Sequence, residues 1–255
     1  MVSLTVKDLS FSYRGSSVFS GINLSVETGQ ILSLVGPNGA GKTTLLKCLN
    51  ALHSPGGGEI LLKGKNIREM SRLDIAREVA YVPQSEQVKF PVSVFDAVML
   101  GRRPHFQWRA TRKDYDAVFD ILCRLEIDDL ATKSLDQMSG GERQKVMLAK
   151  AIVQEPSILL LDEPTTFLDM GYQLKIMQFV RELVDEKDIC AVITTHELSH
   201  ALYYSDCMAV LKNGKIMISG SPELITADII RDVYGVEAVI HWEREHPFLL
   251  PFRAL

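Results

Sequence analysis

Polar and apolar residues alternate along VSLTVKDL (2–9) and again along VFSGINLSVETG (18–29). A period of two buries one face of each segment, so both read as half-buried strands. The pattern then becomes an unbroken apolar run, ILSLV (31–35), as in a strand covered on both faces. A glycine-rich turn follows, then the helix-like TTLLKCLNAL (43–52), the turn cluster SPGGG (54–58) and the strand EILLKG (59–64). SRLDIAREV (71–79) has helical spacing, and AYVPQ (80–84) reads as a strand stopped by Pro83. Between Pro91 and Gln154 the spacing is mostly helical, in VSVFDAVMLGR, RKDYDAVFDILCRLE and GGERQKVMLAKAIVQ. From Ser157 strands and helices alternate again: ILLLD, then MGYQLKIMQFVRELVDE, then ICAVITT, then ELSHALYYS. CMAVLKNGKIMISG (207–220) reads as a hairpin about Asn213-Gly214, and SPELITADIIRDVYG (221–235) as helical. The tail EAVIHWEREHPFLLPFRAL has no period that assigns it.

Strands alternating with helices predict an α/β fold whose core sheet is largely parallel and covered on both faces. An antiparallel β part precedes that core, and the helical middle reads as an insertion into it. The expected organisation is one domain, with a core from 1–90 and 157–225, a helical subdomain over 91–156 and a C-terminal tail over 226–255.

Composition narrows the function classes. Of 255 residues, 46% are hydrophobic and 24% charged, as in a globular protein with a substantial core. The formal net charge of -4 argues against binding nucleic acid through a broadly basic face. Cys48, Cys123, Cys190 and Cys207 are scattered and read as small buried hydrophobes in a reducing compartment. No apolar run approaches the roughly 18 residues of a membrane helix, and MVSLTVKDLS lacks the features of a signal peptide. The expected location is the cytoplasm, with access to a membrane only by docking.

The most specific chemistry lies in GPNGAGKTT, Gly36 to Thr44, which fits G-x-x-x-x-G-K-[ST] between a buried strand and a helix. Its glycines let backbone N–H groups converge on phosphate oxygens, and the helix N-terminus adds partial positive charge. The loop residues Gly36, Asn38, Gly39, Ala40, Gly41, Lys42, Thr43 and Thr44 are therefore expected to bind nucleotide. Lys42 should reach the β- and γ-phosphates, and the Thr43 hydroxyl should coordinate Mg²⁺. ILLLDEP supplies the acids: Asp162 ends a strand where it can hold Mg²⁺, and Glu163 can orient and deprotonate a water.

With LLLDEPTTFLD and MSGGERQ (138–144), these motifs resemble the ATP-binding cassette of ABC transporters over most of the chain, from Tyr13 to about Gly220. The resemblance implies a P-loop NTPase fold, with ATP and Mg²⁺ at the site. It implies that Tyr13 stacks on adenine, and that Gln84 touches Mg²⁺ and reports nucleotide state to a membrane subunit. It further implies that Ser139, Gly140 and Gly141 bind the ATP held by a second cassette, with Asp169 crossing the same interface. The working unit is then a head-to-tail homodimer. Met138 departs from the family's usual leucine, and Thr166-Phe167 from its usual small pair.

One stretch competes with this reading. THELSH (195–200) spells H-E-x-x-H, the zinc-protease helix motif. The β-branched run VITT leads straight into His196, so that histidine is expected to precede the helix rather than share a face with His200. The family resemblance makes His196 the residue that contacts the γ-phosphate and steadies Glu163 and the attacking water. His241 and His246 are expected to lie in a solvated tail.

VMLGRRPH (98–105) resembles the L-G-R-x-P-H pattern of cassettes that serve iron–siderophore, haem and cobalamin importers, with molybdate systems related. VYGVEAVI (233–240) resembles their tail. That likeness implies an ATPase subunit at the cytoplasmic face of the membrane, with two separate permease subunits and an external substrate-binding protein. In the family residues 98–105 face the permease, and Phe106 and Trp108 would help to fill the contact. A soluble ABC ATPase without a transporter and, more remotely, a zinc hydrolase are the alternatives.

Overall fold

The computed structural model describes residues 2–84, 91–106, 108–166, 168–243 and 246–255. Phe167 and the side chain of His246 lie outside that description. The N-terminal half comprises β1 (Val2–Tyr13), β2 (Ser16–Glu27), β3 (Ile31–Val35), α1 (Lys42–Leu49), β4 (Gly57–Leu62), β5 (Lys65–Asn66), α2 (Arg72–Glu78) and β6 (Val79–Val82). The helical middle holds α3 (Val94–Met99), α4 (Arg112–Arg124) and α5 (Gly140–Ile152). Then come β7 (Ile158–Asp162), α6 (Met170–Lys187), β8 (Cys190–Thr194), α7 (Leu198–Tyr204), β9 (Cys207–Lys212), β10 (Lys215–Gly220) and α8 (Ala227–Tyr234). The chain ends in β11 (Val236–Glu243) and β12 (His246–Ala254).

Among the described residues the strands form three sheets. A four-stranded antiparallel sheet has the order β2-β1-β4-β5, and a six-stranded one the order β10-β9-β3-β8-β7-β6. In the latter, β6 to β9 and β3 run parallel and only the edge strand β10 is antiparallel. Every residue of β3, β7 and β8 is buried, which is why their sequences are continuous apolar runs. Alternate residues still face opposite layers. Leu159 and Leu161 join the core beneath the helical middle, whereas Ile158 and Leu160 join the core shared with α1 and the antiparallel sheet. Each such side chain contributes about 1.5–3 kcal/mol relative to exposure. The Asn213-Gly214 turn has positive φ at both residues and ties the two sheets together, Ser20 N donating to Gly214 O at 3.0 Å.

Helix starts follow their capping residues. Ser71 accepts from Asp74 N, Ser93 from Asp96 N, and Thr226 from Ile229 N. Thr226 also marks a difference from the sequence reading. SPELITADIIRDVYG divides into a short 3₁₀ turn, Pro222–Leu224, and a separate helix α8.

The unassigned tail is not a loose solvated end. Strands β11 and β12 pair antiparallel, and Ala238, Ile240 and Leu249 on them pack with Leu202 of α7 and Ile230 of α8. Pro247 and Pro251 obscured the strand pattern, and β12 tolerates both because it pairs on one side only. His241 is exposed on β11.

The LGRRPH stretch is a 3₁₀ segment built into the fold. A Cβ at Gly101 would lie 2.1 Å from Lys150 O, so no side chain fits there. Arg102 is buried, donating to Asp114 Oδ1 at 3.0 Å and Val153 O at 2.8 Å. Leu100 and Trp108 remain exposed.

Candidate nucleotide site

Strand β3 delivers the chain into loop 36–44 at the edge where β7 and β8 also end. Gly36 has φ 145°, and a Cβ there would lie 2.0 Å from Leu211 O, so only glycine lets the loop leave the sheet this close to β9. Gly41, at φ 105°, immediately precedes α1. The first N–H groups of α1 have no intrahelical partner and point out of its N-terminus, as an anion requires. Lys42 is 6% exposed, and its ammonium donates to Gly36 O at 2.7 Å and Pro37 O at 3.2 Å. Burial lowers its pKa from the usual lysine value, opposed by Glu163 and Asp162. A desolvated cation of this kind favours an incoming polyphosphate.

Asp162 ends β7 and is 1% exposed. Its Oδ1 accepts from the Thr43 hydroxyl at 3.0 Å and the Thr194 hydroxyl at 2.7 Å, and its Oδ2 from the Tyr81 phenol at 3.1 Å. A buried carboxylate held by neutral hydroxyls beside Thr43 is a hard-oxygen donor set that suits Mg²⁺. Burial, then Asp162, pushes the Tyr81 phenol well above its ordinary pKa, so it stays a donor.

Glu163 follows at φ 50°, a left-handed conformation that costs about 1 kcal/mol or more for a non-glycine residue. Its N–H is held by the Thr194 backbone and side-chain oxygens, both at 3.0 Å. Its side chain is 11% exposed. Its Oε1 lies 2.5 Å from His196 Nε2, while Oε2 accepts from Gln84 Nε2 at 2.5 Å and Thr166 Oγ1 at 3.2 Å. Loop residues 38–44, with Tyr13, Gln84, Glu163 and His196, line one cleft of about 510 Å³. Gly36 underlies the loop, and Asp162 reaches it through Thr43.

Ser139, Gly140, Gly141 and Asp169 are elsewhere. They line a second hollow of about 390 Å³ and do not border the cleft. Both polar residues have local duties. Ser139 caps α5 in a reciprocal capping box with Glu142, and Asp169 caps α6 by accepting from Tyr172 N at 3.0 Å.

The H-E-x-x-H match does not form a metal helix. His196 and Glu197 precede α7, which starts at Leu198, and His196 is engaged with Glu163. Among the described residues no group of three or more His, Cys, Asp or Glu side chains could hold a metal.

The ABC transporter family model matches residues 19–166. The chain belongs to the ABC transporter family. This cassette is 40% identical over 248 residues to an uncharacterized ABC transporter ATP-binding protein of Methanocaldococcus jannaschii, covering 97% of each chain. It is 38% identical over 258 residues to the hemin import ATP-binding protein HmuV of Thermobifida fusca, covering 99% of this chain and 89% of the relative. Among solved structures it superposes with TM-score 0.85 and 26% identity on a chain described as a metal-chelate type ABC transporter in an inward-facing conformation, covering 99% and 98%. The cassette is an ABC ATPase with the P-loop NTPase fold.

Residue reading missed Thr194, Tyr81 and Thr166 as parts of the site. Thr194 carried the clearest available signal, a hydroxyl in an otherwise apolar strand, CAVIT, parallel to the strand that ends in Asp162.

Proposed function

We propose that this cassette is the ATP-hydrolysing subunit of an importer for a metal chelate or metal compound, of the iron–siderophore, haem, cobalamin or molybdate type. The observation that carries the catalytic part is Glu163, fixed beside loop 36–44 and gripped on both carboxylate oxygens. Tyr13 holds the base, the N–H groups of residues 39–44 and Lys42 hold the phosphates, and His196 contacts the γ-phosphate. Thr43, Asp162 and Gln84 would hold Mg²⁺, which when bound would neutralise charge on the phosphates. Glu163 takes a proton from the attacking water as its oxygen bonds to the γ-phosphorus and the bond to the bridging oxygen breaks.

The second hollow supports a homodimer. Ser139, Gly140 and Gly141 lie away from the cleft of their own chain, where the N-terminus of α5 is available to the γ-phosphate of a second copy. Two permease subunits and, through them, an external binding protein complete the assembly, which takes no nucleic acid. No helix among the described residues is long and apolar enough to cross a membrane; with separate permease partners, the cassette attaches peripherally at the cytoplasmic face. A groove of about 430 Å³ lined by Tyr81, Pro83, Leu100, Arg103 and Lys150 reaches the residue before Gln84 and suits a permease segment. The cargo class rests on VMLGRRPH, on the hemin-import relative and on the metal-chelate structural neighbour.

The test is uptake. Cells whose chromosomal copy carries Glu163→Gln are given labelled ferric siderophore, haem, cobalamin and molybdate. Loss of one substrate alone supports the importer and names its cargo. Unchanged uptake of all four in cells lacking a second system counts against it and favours a cassette that serves no transporter.

A further inference from the structure

Tyr13 stands at the tip of the β1–β2 hairpin, where the chain turns through Arg14 and Gly15 at φ 46° and 88°. It is 46% exposed and lines the cleft. A ring on a hairpin tip ordinarily loses rotamer freedom when a ligand stacks on it, which weakens binding. Here two other rings restrict it first. Phe11, itself buried, meets Tyr13 edge to face at 4.7 Å between centroids. The His53 imidazole lies nearly parallel to Phe11 at 5.4 Å and perpendicular to Tyr13 at 5.5 Å. His53 Nε2 and the Tyr13 hydroxyl share a hydrogen bond of 2.8 Å.

His53 is itself anchored. Its backbone N–H donates to Lys47 O at 3.1 Å, as does that of Leu52 at 2.9 Å, wrapping the segment onto the last turn of α1. The first turn of α1 carries Lys42 and Thr43. One side chain thus links the ring at the base end of the cleft to the helix at its phosphate end. With the phenol engaged by His53, Tyr13 offers a base its ring face.

We propose that His53 is a positioning residue for nucleotide binding, holding the Tyr13 ring in the plane that receives the purine base and tying that plane to α1. The proposal rests on the reading of Tyr13 as the base-stacking residue. A structural role alone would weaken all ligands of the cleft together, whereas a positioning role acts only on ligands that have a base.

Calorimetric titration of the full chain with ADP and with inorganic triphosphate separates these. His53→Ala is expected to raise the Kd for ADP about threefold to tenfold and to leave that for triphosphate within about twofold. Tyr13→Phe, which removes the same hydrogen bond, should give a comparable loss, and the double variant no further loss. His53→Gln, whose amide can reach the phenol, should recover part of the affinity. If Tyr13→Ala weakens ADP and His53→Ala does not, the positioning role is overturned while the stacking role stands. Equal losses for ADP and triphosphate, with a lowered melting temperature, overturn it in favour of a structural role. If Tyr13→Ala itself leaves ADP binding unchanged, the stacking reading fails and the proposal with it.

Discussion

Two glycine-bearing helix starts invite comparison: loop 36–44 with α1, and Ser139–Gly141 with α5. Both present backbone N–H groups at a helix N-terminus, and both suit an anion. Their surroundings differ. The first is set at the ends of parallel strands, with a desolvated lysine, a buried Asp162 held by three hydroxyls, and Glu163 in a left-handed conformation. The second has its polar side chains satisfied locally, Ser139 and Glu142 capping each other and Asp169 capping α6. Chemistry is concentrated in one region, and on the proposed reading the other receives the phosphate held by a second copy. On that reading each chain carries both halves of a site without joining them, which is the physical case for two copies working together.

The largest effect that would sharpen this contrast comes from Glu163→Gln. Hydrolysis should fall by roughly 10²–10⁴-fold while ATP affinity stays within about twofold, since the change removes a base and little of the binding surface. Near-normal turnover would remove Glu163 from the chemistry. Lys42→Ala should come next, weakening ATP binding by roughly 10- to 100-fold through loss of a charged hydrogen-bond donor. An unaltered Kd measured by equilibrium dialysis would show that the cleft does not hold phosphate through this lysine.

Ser139→Ala should have the smallest direct effect. Losing the cap should cost about 1 kcal/mol of stability. ATP affinity of the isolated chain should not move, while steady-state turnover falls about tenfold. Equal changes in both would break the division between the two regions. Acid probes the same cap. The Ser139 backbone and side-chain hydrogen bonds hold the Glu142 carboxyl below its ordinary value of 4.5, outweighing burial. Because the folded-state value is lowered, the stabilisation is complete above the unfolded value and fades as pH falls through the folded one. Amide exchange in the first turn of α5 should quicken over that acid range, whereas Glu142→Gln should flatten the dependence.

Much of the site was legible in the chain because its chemistry depends on residues adjacent in sequence. A phosphate loop needs glycines, a lysine and a threonine at set spacing between strand and helix, so GPNGAGKTT declares itself. His196 could be placed ahead of its helix because a β-branched run carries the strand up to it, and α7 does begin at Leu198. The partners of these residues were not legible. Thr194 and Tyr81 serve Asp162 from β8 and β6, 32 and 81 positions away. A single hydroxyl on a buried strand announces a partner without saying which. LGRRPH illustrates the opposite problem: it was visible as a motif, yet Gly101 and Arg102 turn out to be spent on packing against α5 and α4. The tail strands escaped for a third reason, since two prolines on a strand paired along one edge remove the period that would reveal it.

The sequence by itself therefore determined the fold class, the phosphate loop and the two carboxylates, because each is written in local spacing and burial period, and its motifs resembled those of the family closely enough to name it. Only the tertiary structure decided that Glu163 is gripped by His196 and Gln84, that Tyr13 is braced by His53, and that the Ser139 surface lies apart from the cleft. Those facts depend on which strand ends a parallel sheet brings side by side, and contacts across dozens of residues leave no periodic trace in the chain.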